Sequence, residues 1–172
     1  MIQYVQNEQH YVLLMDEISK VRHTFWIGTA DLKDLYVKQG RSAIPFLALL
    51  EKKIRQGVSI RLLHAKEPGK NFRNDFDKYP LLWERQERAL CPRIHFKLML
   101  FDLERAYIGS ANLTGAAFGM KSKNNRNFEA GIFTDERELV EAAITQFDEV
   151  WMGKPCKTCG RKEVCKDRII QI

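Results

Sequence analysis

The chain has 172 residues, enough for one domain with a sizeable core and too few for two domains of ordinary size. Its 28 Lys and Arg against 22 Asp and Glu leave a net charge of +6, which suits a polyanionic partner such as DNA or RNA without requiring one. No apolar run reaches the roughly 18 residues of a membrane span, and the first residues lack a basic segment leading into a long apolar one. The expectation is therefore a cytoplasmic protein with no membrane contact.

In chain order, residues 6–20 are predicted helical and residues 22–29, RHTFWIGT, read as a strand. An amphipathic helix is expected over 42–56. Ser42 would cap it, Pro45 falls near its first turn, Phe46, Leu49, Leu50 and Ile54 form its apolar face, and Gly57 stops it. Residues 58–64, VSIRLLH, form the next strand. Residues 65–80, with Pro68, Gly69 and Pro80, read as a long polar loop, and a short helix is expected over 81–90. Residues 93–101, RIHFKLMLF, read as a buried strand, and residues 105–110, RAYIGS, as a second strand joined to it by a tight turn at 102–104. Residues 113–127 form a loop, and a strand-like run follows around Phe128, Ile132 and Phe133. A helix then runs to about Trp151 with Val140, Ala143, Ile144, Phe147 and Trp151 on one face. The β-α-β alternation predicts an α/β fold, a mixed sheet with helices on its faces.

The chemistry concentrates on the 93–101 strand. Alternate residues share a face, so His95, Lys97 and Met99 point one way while Phe96, Leu98 and Leu100 point the other. A lysine inside a buried strand is costly unless an anion compensates it; otherwise it snorkels from an edge. Gly109 lets the backbone approach closely, and Ser110 and Asn112 then lie beside the end of that strand. Imidazole, ammonium, hydroxyl and carboxamide together suit the non-bridging oxygens of a phosphate. Arg93 either lines the same groove or pairs with a carboxylate. The loop cations Lys121, Lys123 and Arg126 either contact a phosphate backbone or lie on a solvated loop.

Three of the four cysteines cluster as Cys156-x2-Cys159-x5-Cys165, and Cys91 precedes the motif strand. This pattern predicts an all-cysteine zinc site of Cys91, Cys156, Cys159 and Cys165, with His64 as a reserve ligand. Free thiols or an iron–sulfur ligand set are the alternatives. The division expected is a catalytic domain over 1–152 and a Cys-rich tail over 153–172 packed on it.

The string H-x-K-x4-D-x6-G-S-x-N, formed by His95, Lys97, Asp102, Gly109, Ser110 and Asn112, resembles the signature of the phospholipase D superfamily. The resemblance covers most of the chain up to about residue 152 and implies a phospholipase D-like α/β fold. It implies a phosphodiesterase that uses a histidine nucleophile and needs no catalytic metal. Members build one active site from two motifs; a single motif here implies a homodimer with the site on its two-fold axis. The implied roles are attack by His95, charge stabilisation by Lys97 and Asn112, positioning by Ser110, and orientation of the imidazole by Glu129. Asp102 completes the pattern, but its place at a strand end suggests a structural role. DNA is the first expected substrate, RNA the second and a phospholipid the third. A nucleic-acid-binding module with an idle site, or a subunit activated by an unidentified partner, is the competing class.

Overall fold

The two motif-bearing runs lie near the middle of a mixed β-sheet, where the strand Lys97–Phe101 is covered on both faces. The computed structural model describes residues 1–33, 35–39, 41–118 and 122–165, with backbone alone at 39 and 123. The elements are β1 (Ile2–Gln6), α1 (Gln9–Lys20), β2 (Thr24–Thr29), β3 (Tyr36–Gln39), β4 (Ser42–Pro45), α2 (Phe46–Arg55), β5 (Ser59–His64), α3 (Lys70–Phe76), α4 (Pro80–Arg85), β6 (Gln86–Leu90), β7 (Lys97–Phe101), β8 (Arg105–Gly109), β9 (Ala130–Thr134) and α5 (Arg137–Trp151).

The main sheet has seven strands in the order β1-β9-β8-β7-β2-β5-β6, and β3 and β4 form a separate hairpin. β2, β5 and β6 run parallel, and the other pairings in the main sheet are antiparallel. The register sets Leu98 opposite Gly28, Lys97 opposite Gly109, and Gly109 opposite Gly131. One end of the sheet therefore gathers the C-terminal ends of β2 and β8 and the N-terminal ends of β7 and β9.

Alternation along the strands divides the core into two layers. Phe25, Ile27, Met99, Phe101, Tyr107 and Phe133 face α1 to α4, where Leu14, Ile18, Phe46, Leu50, Phe72 and Leu82 meet them. Trp26, Leu98, Leu100 and Ala106 face α5 and its Val140, Ala143 and Phe147. β7 is buried along its whole length because both faces are covered, which explains why KLMLF is apolar at every position but one.

The expected mixed α/β architecture is present. Several boundaries differ for identifiable reasons. Residues 2–6 form an edge strand, with Ile2 and Tyr4 exposed, so their hydrophobic pattern does not mark a core face. Ser42 belongs to β4 and does not cap α2; Pro45 occupies the position before its first residue. Gly57, at φ 90°, ends that helix as expected. The predicted loop 65–80 contains α3, and the predicted helix 81–90 stops at Arg85, beyond which the chain becomes β6 and pairs with β5. The motif strand begins at Lys97, four residues later than expected, because residues 92–93 form a turn after Pro92. Among the described residues no helix is long and apolar enough to cross a membrane.

Candidate active site

The site is assembled at the end of the sheet where β7 and β9 begin and β2 and β8 finish. His95 lies just before β7 and is exposed, so its imidazole is presented from a loop at the strand's mouth. Lys97 is the first residue of β7 and only 9% exposed. Its Nζ donates to the His95 carbonyl oxygen at 2.7 Å, which fixes the backbone beneath the imidazole and satisfies one of three ammonium protons.

Ser110 follows β8. Its N–H donates to the Ala130 carbonyl at 2.9 Å, its Oγ accepts the Ala130 N–H at 3.0 Å, and its hydroxyl donates to Glu129 Oε2. The Glu129 carboxylate, 8% exposed, also accepts from Asn127 Nδ2 at 3.1 Å. Burying a carboxylate demands such donors. Glu129 thus bonds Ser110 and Asn127, and among the described residues no hydrogen bond reaches the His95 ring.

Asn112 is held from the other side. Its Oδ1 accepts the Asp31 N–H at 3.1 Å, an arrangement that assigns its amide orientation and leaves both Nδ2 protons to point elsewhere. Thr29 at the end of β2 braces the same corner: its hydroxyl donates to the Asp31 carbonyl at 2.8 Å and accepts the Leu113 N–H at 3.1 Å. The result is an ammonium, a carboxamide and an imidazole gathered on a frame of strand ends, a donor set that suits a transferring phosphoryl group.

Several supporting residues were not visible in the sequence. Asn7, at φ 49° after β1, donates its N–H to the Glu129 carbonyl at 2.9 Å and accepts the Glu129 N–H on Oδ1 at 3.2 Å. His10 is fully buried, with Nδ1 2.9 Å from the Asn7 carbonyl and its ring edge-on to Tyr107 at 5.3 Å. Burial lowers the His10 pKa, the Asn7 carbonyl and the Glu129 charge only partly opposing it. Tyr107 lies across Gly109 and Gly131, which have no side chain to displace it. An Asn before a helix was the one sequence hint at this bracket.

Other candidates fall elsewhere. Asp102 is five residues along β7 from Lys97, about 16 Å at the usual strand rise, at the opposite end of the sheet. It occupies a turn in which it and Leu103 have φ of 53° and 57°. Its carboxylate accepts the N–H groups of Arg22 at 3.0 Å, His23 at 2.7 Å and Thr24 at 2.9 Å. Burial alone would raise its pKa, but these three backbone donors outweigh it and hold the carboxyl below its usual value. Asp102 is a cap on the start of β2 and does not join the reacting groups. Arg93 is exposed in the turn before β7, not on the strand, and its guanidinium reaches Cys159 Sγ at 3.8 Å. Arg126 lies 6.0 Å over the Tyr11 ring. Lys123 starts a short 3-10 turn, and Lys121 lies outside the described residues.

None of the four cysteines is in a disulfide, all are half-buried, and Cys91, Cys156 and Cys159 line one cavity. Among the described residues no three His, Cys, Asp or Glu side chains form a ready-made metal cage. His64 is buried, with Nδ1 2.8 Å from the Lys66 carbonyl.

A family model described as "Cardiolipin synthase, PLD-like domain" matches residues 14–151. No curated protein matches the chain in sequence. Among solved structures, NucT from Helicobacter pylori is similar at 16% identity and a TM-score of 0.64, over 87% of this chain and 95% of that one. Nuc from Salmonella typhimurium, described as a phospholipase D family member, is similar at 14% identity and a TM-score of 0.62, over 88% and 93%. TrmBL2, an archaeal chromatin protein, is similar at 14% identity and a TM-score of 0.58, over 87% of this chain and 51% of that one.

Proposed function

Because the chain belongs to the phospholipase D superfamily, through a PLD-like domain over residues 14–151, we propose that it is a metal-independent phosphodiesterase that cleaves DNA. One observation carries the reading: the Lys97–Gly109 pairing brings His95 and Lys97 at the start of β7 to the same sheet end as Ser110 and Asn112 just after β8, with Lys97 and Asn112 held by fixed backbone partners.

In this reaction an imidazole nitrogen of His95 attacks phosphorus. The N–P bond forms as the P–O bond to the leaving group breaks. A second His95, from another copy of the chain, gives its proton to the leaving oxygen. That same imidazole then takes a proton from water, whose oxygen displaces the first His95 and releases the product. Lys97 and Asn112 donate to the equatorial oxygens throughout, doing what a metal clamp does elsewhere. Ser110 links this donor set to Glu129.

Two copies are needed because one chain offers one His95. An exposed apolar row across β1, β9 and β8, formed by Tyr4, Ile132 and Ile108 in register, supports a self-associating face. The net charge of +6 supports a polyanionic substrate, as does the likeness to TrmBL2, whose description concerns DNA binding. A second reading, phosphatidyl chemistry, is favoured by the name of the matching family model.

The test is cleavage in EDTA of single- and double-stranded DNA, RNA and a phospholipid vesicle, wild type beside His95→Ala. The reading expects DNA cleavage that is lost in the variant while DNA binding persists. Lipid cleavage alone selects the second reading, and DNA binding without cleavage by wild type selects a binding module.

A further inference from the structure

The C-terminal segment lacks a core of its own. Beyond α5, residues 153–165 contain only a 3-10 turn at Lys154–Cys156, and Lys157, Thr158 and residues 160–164 are exposed. Such a segment cannot be held by buried apolar area, and short segments of this kind are stapled by disulfides or metal. Yet it is docked on the loop that leads into β7. Arg161 donates to the Pro92 carbonyl at 3.3 Å, and Arg93 reaches Cys159 Sγ at 3.8 Å.

We propose that Cys91, Cys156, Cys159 and Cys165 bind one zinc ion, which clamps the C-terminal segment to the 91–96 loop carrying His95. Three of the four ligands are already gathered. Cys91, Cys156 and Cys159 line a common cavity with Arg93, Ile94 and Pro155. Cys91 is anchored to the end of β5 by its N–H on the His64 carbonyl at 2.9 Å, so one ligand belongs to the sheet and three to the segment. In Cys156-Lys-Thr-Cys159 the Cys159 N–H donates to the Cys156 carbonyl at 3.3 Å. The Arg161 N–H, two residues on, donates to Cys159 Sγ at 3.4 Å. Amide donation to sulfur stabilises a thiolate, the form that binds metal. Four thiolates around zinc carry a net charge of about −2, and Arg93, Arg161 and Lys162 are close by to offset it.

Three of the four thiols already share a cavity, without forming a closed cage. Zinc supplies the attraction that draws them in, as coordination and local folding are coupled.

The full chain, purified without chelator, is analysed for metal, and its thiols are assayed before and after a mercurial displaces the ion. The expected result is about one zinc per chain, four thiols protected until displacement, and the absorption of a tetrahedral four-sulfur site on cobalt substitution. Cys159→Ser and Cys165→Ser, both far from the core, each lose most of the metal while circular dichroism is unchanged. Metal-free protein with freely reacting thiols, iron in place of zinc, paired disulfides, or zinc retained by both variants overturns the site. Amide hydrogen exchange reads the clamp separately: zinc removal should speed exchange over residues 91–97, and unchanged rates there overturn it. Only the consequence for catalysis rests on His95 as nucleophile; metal content and exchange are read without any substrate.

Discussion

Gly109 is the motif residue whose role the structure explains in steric terms, and Gly109→Ala is the test. A Cβ at this position would sit 2.3 Å from the Tyr107 hydroxyl oxygen, 2.7 Å from its Cζ and 2.8 Å from the Ala130 carbonyl oxygen. All three are far inside contact distance, and none belongs to a mobile side-chain tip. The Tyr107 ring is fully buried, edge-on to His10, and its hydroxyl accepts the Ala111 N–H at 3.3 Å. Its other edge fills the space over Gly131, where a Cβ would lie 2.5 Å away. The ring has nowhere to go, so β8 itself must shift. Overpacking of this kind costs about 1–3 kcal/mol, and the upper half of that range is expected because a backbone carbonyl is among the contacts. For a chain of this size that lowers Tm by about 2–4 °C per kcal/mol. The assay is urea unfolding of Gly109→Ala in wild-type and Tyr107→Leu backgrounds. Removing the ring should recover at least about 1 kcal/mol of the alanine's cost as a coupling term. A cost below about 0.5 kcal/mol, or costs that simply add, would refute the steric account.

Asp102→Ala should lose about 1–3 kcal/mol of stability, because three backbone N–H groups lose a charged acceptor, while cleavage per folded molecule stays the same; a tenfold fall in cleavage with stability intact would return Asp102 to the catalytic set. The depressed pKa of Asp102 gives a signed pH effect. Its contribution is complete above the ordinary value of 3.8 and is lost as pH falls below it, so Asp102→Asn should flatten the acid limb of a stability–pH curve. His10, also depressed, stays neutral in the fold while the unfolded chain takes up a proton below 6.5. Its contribution is therefore full above pH 6.5 and declines as pH falls, and His10→Phe should remove that share of the decline seen in urea titrations between about pH 7 and 5; an identical slope in both proteins would contradict it. Asn112→Ala should lower kcat about 10²–10³-fold with a smaller effect on substrate binding, the usual cost of one preorganised donor, and unchanged kcat would take Asn112 out of the reaction.

The site was legible in the sequence because its residues sit at fixed spacing on and beside the ends of two neighbouring strands. A hairpin brings Lys97 opposite Gly109, so linear distance maps onto spatial distance. What the spacing could not show is direction. Asp102 belongs to the same string, but a strand carries it to the far end of the sheet. The Asn7, His10 and Tyr107 bracket was invisible because Asn7 and Glu129 are 122 residues apart and meet only through the β1–β9 pairing. In the fold, the continuous apolar runs of β2 and β7 announced a central sheet. The edges did not: β1 exposes Ile2 and Tyr4, and β6, QERAL, is too polar to read as a strand until β5 pairs with it. Arg93 was misplaced by the assumption that β7 begins at residue 93, directly after Pro92.

The most direct test of the central claim is to look for the covalent intermediate. DNA is mixed with the protein in EDTA, the reaction is quenched in alkali, and the peptide bearing His95 is examined by mass spectrometry. The account predicts a nucleotide phosphate on His95 of wild type that decays on the timescale of turnover and is absent from His95→Ala. DNA cleavage that persists in His95→Ala, or that disappears in EDTA while the fold remains intact, would contradict it.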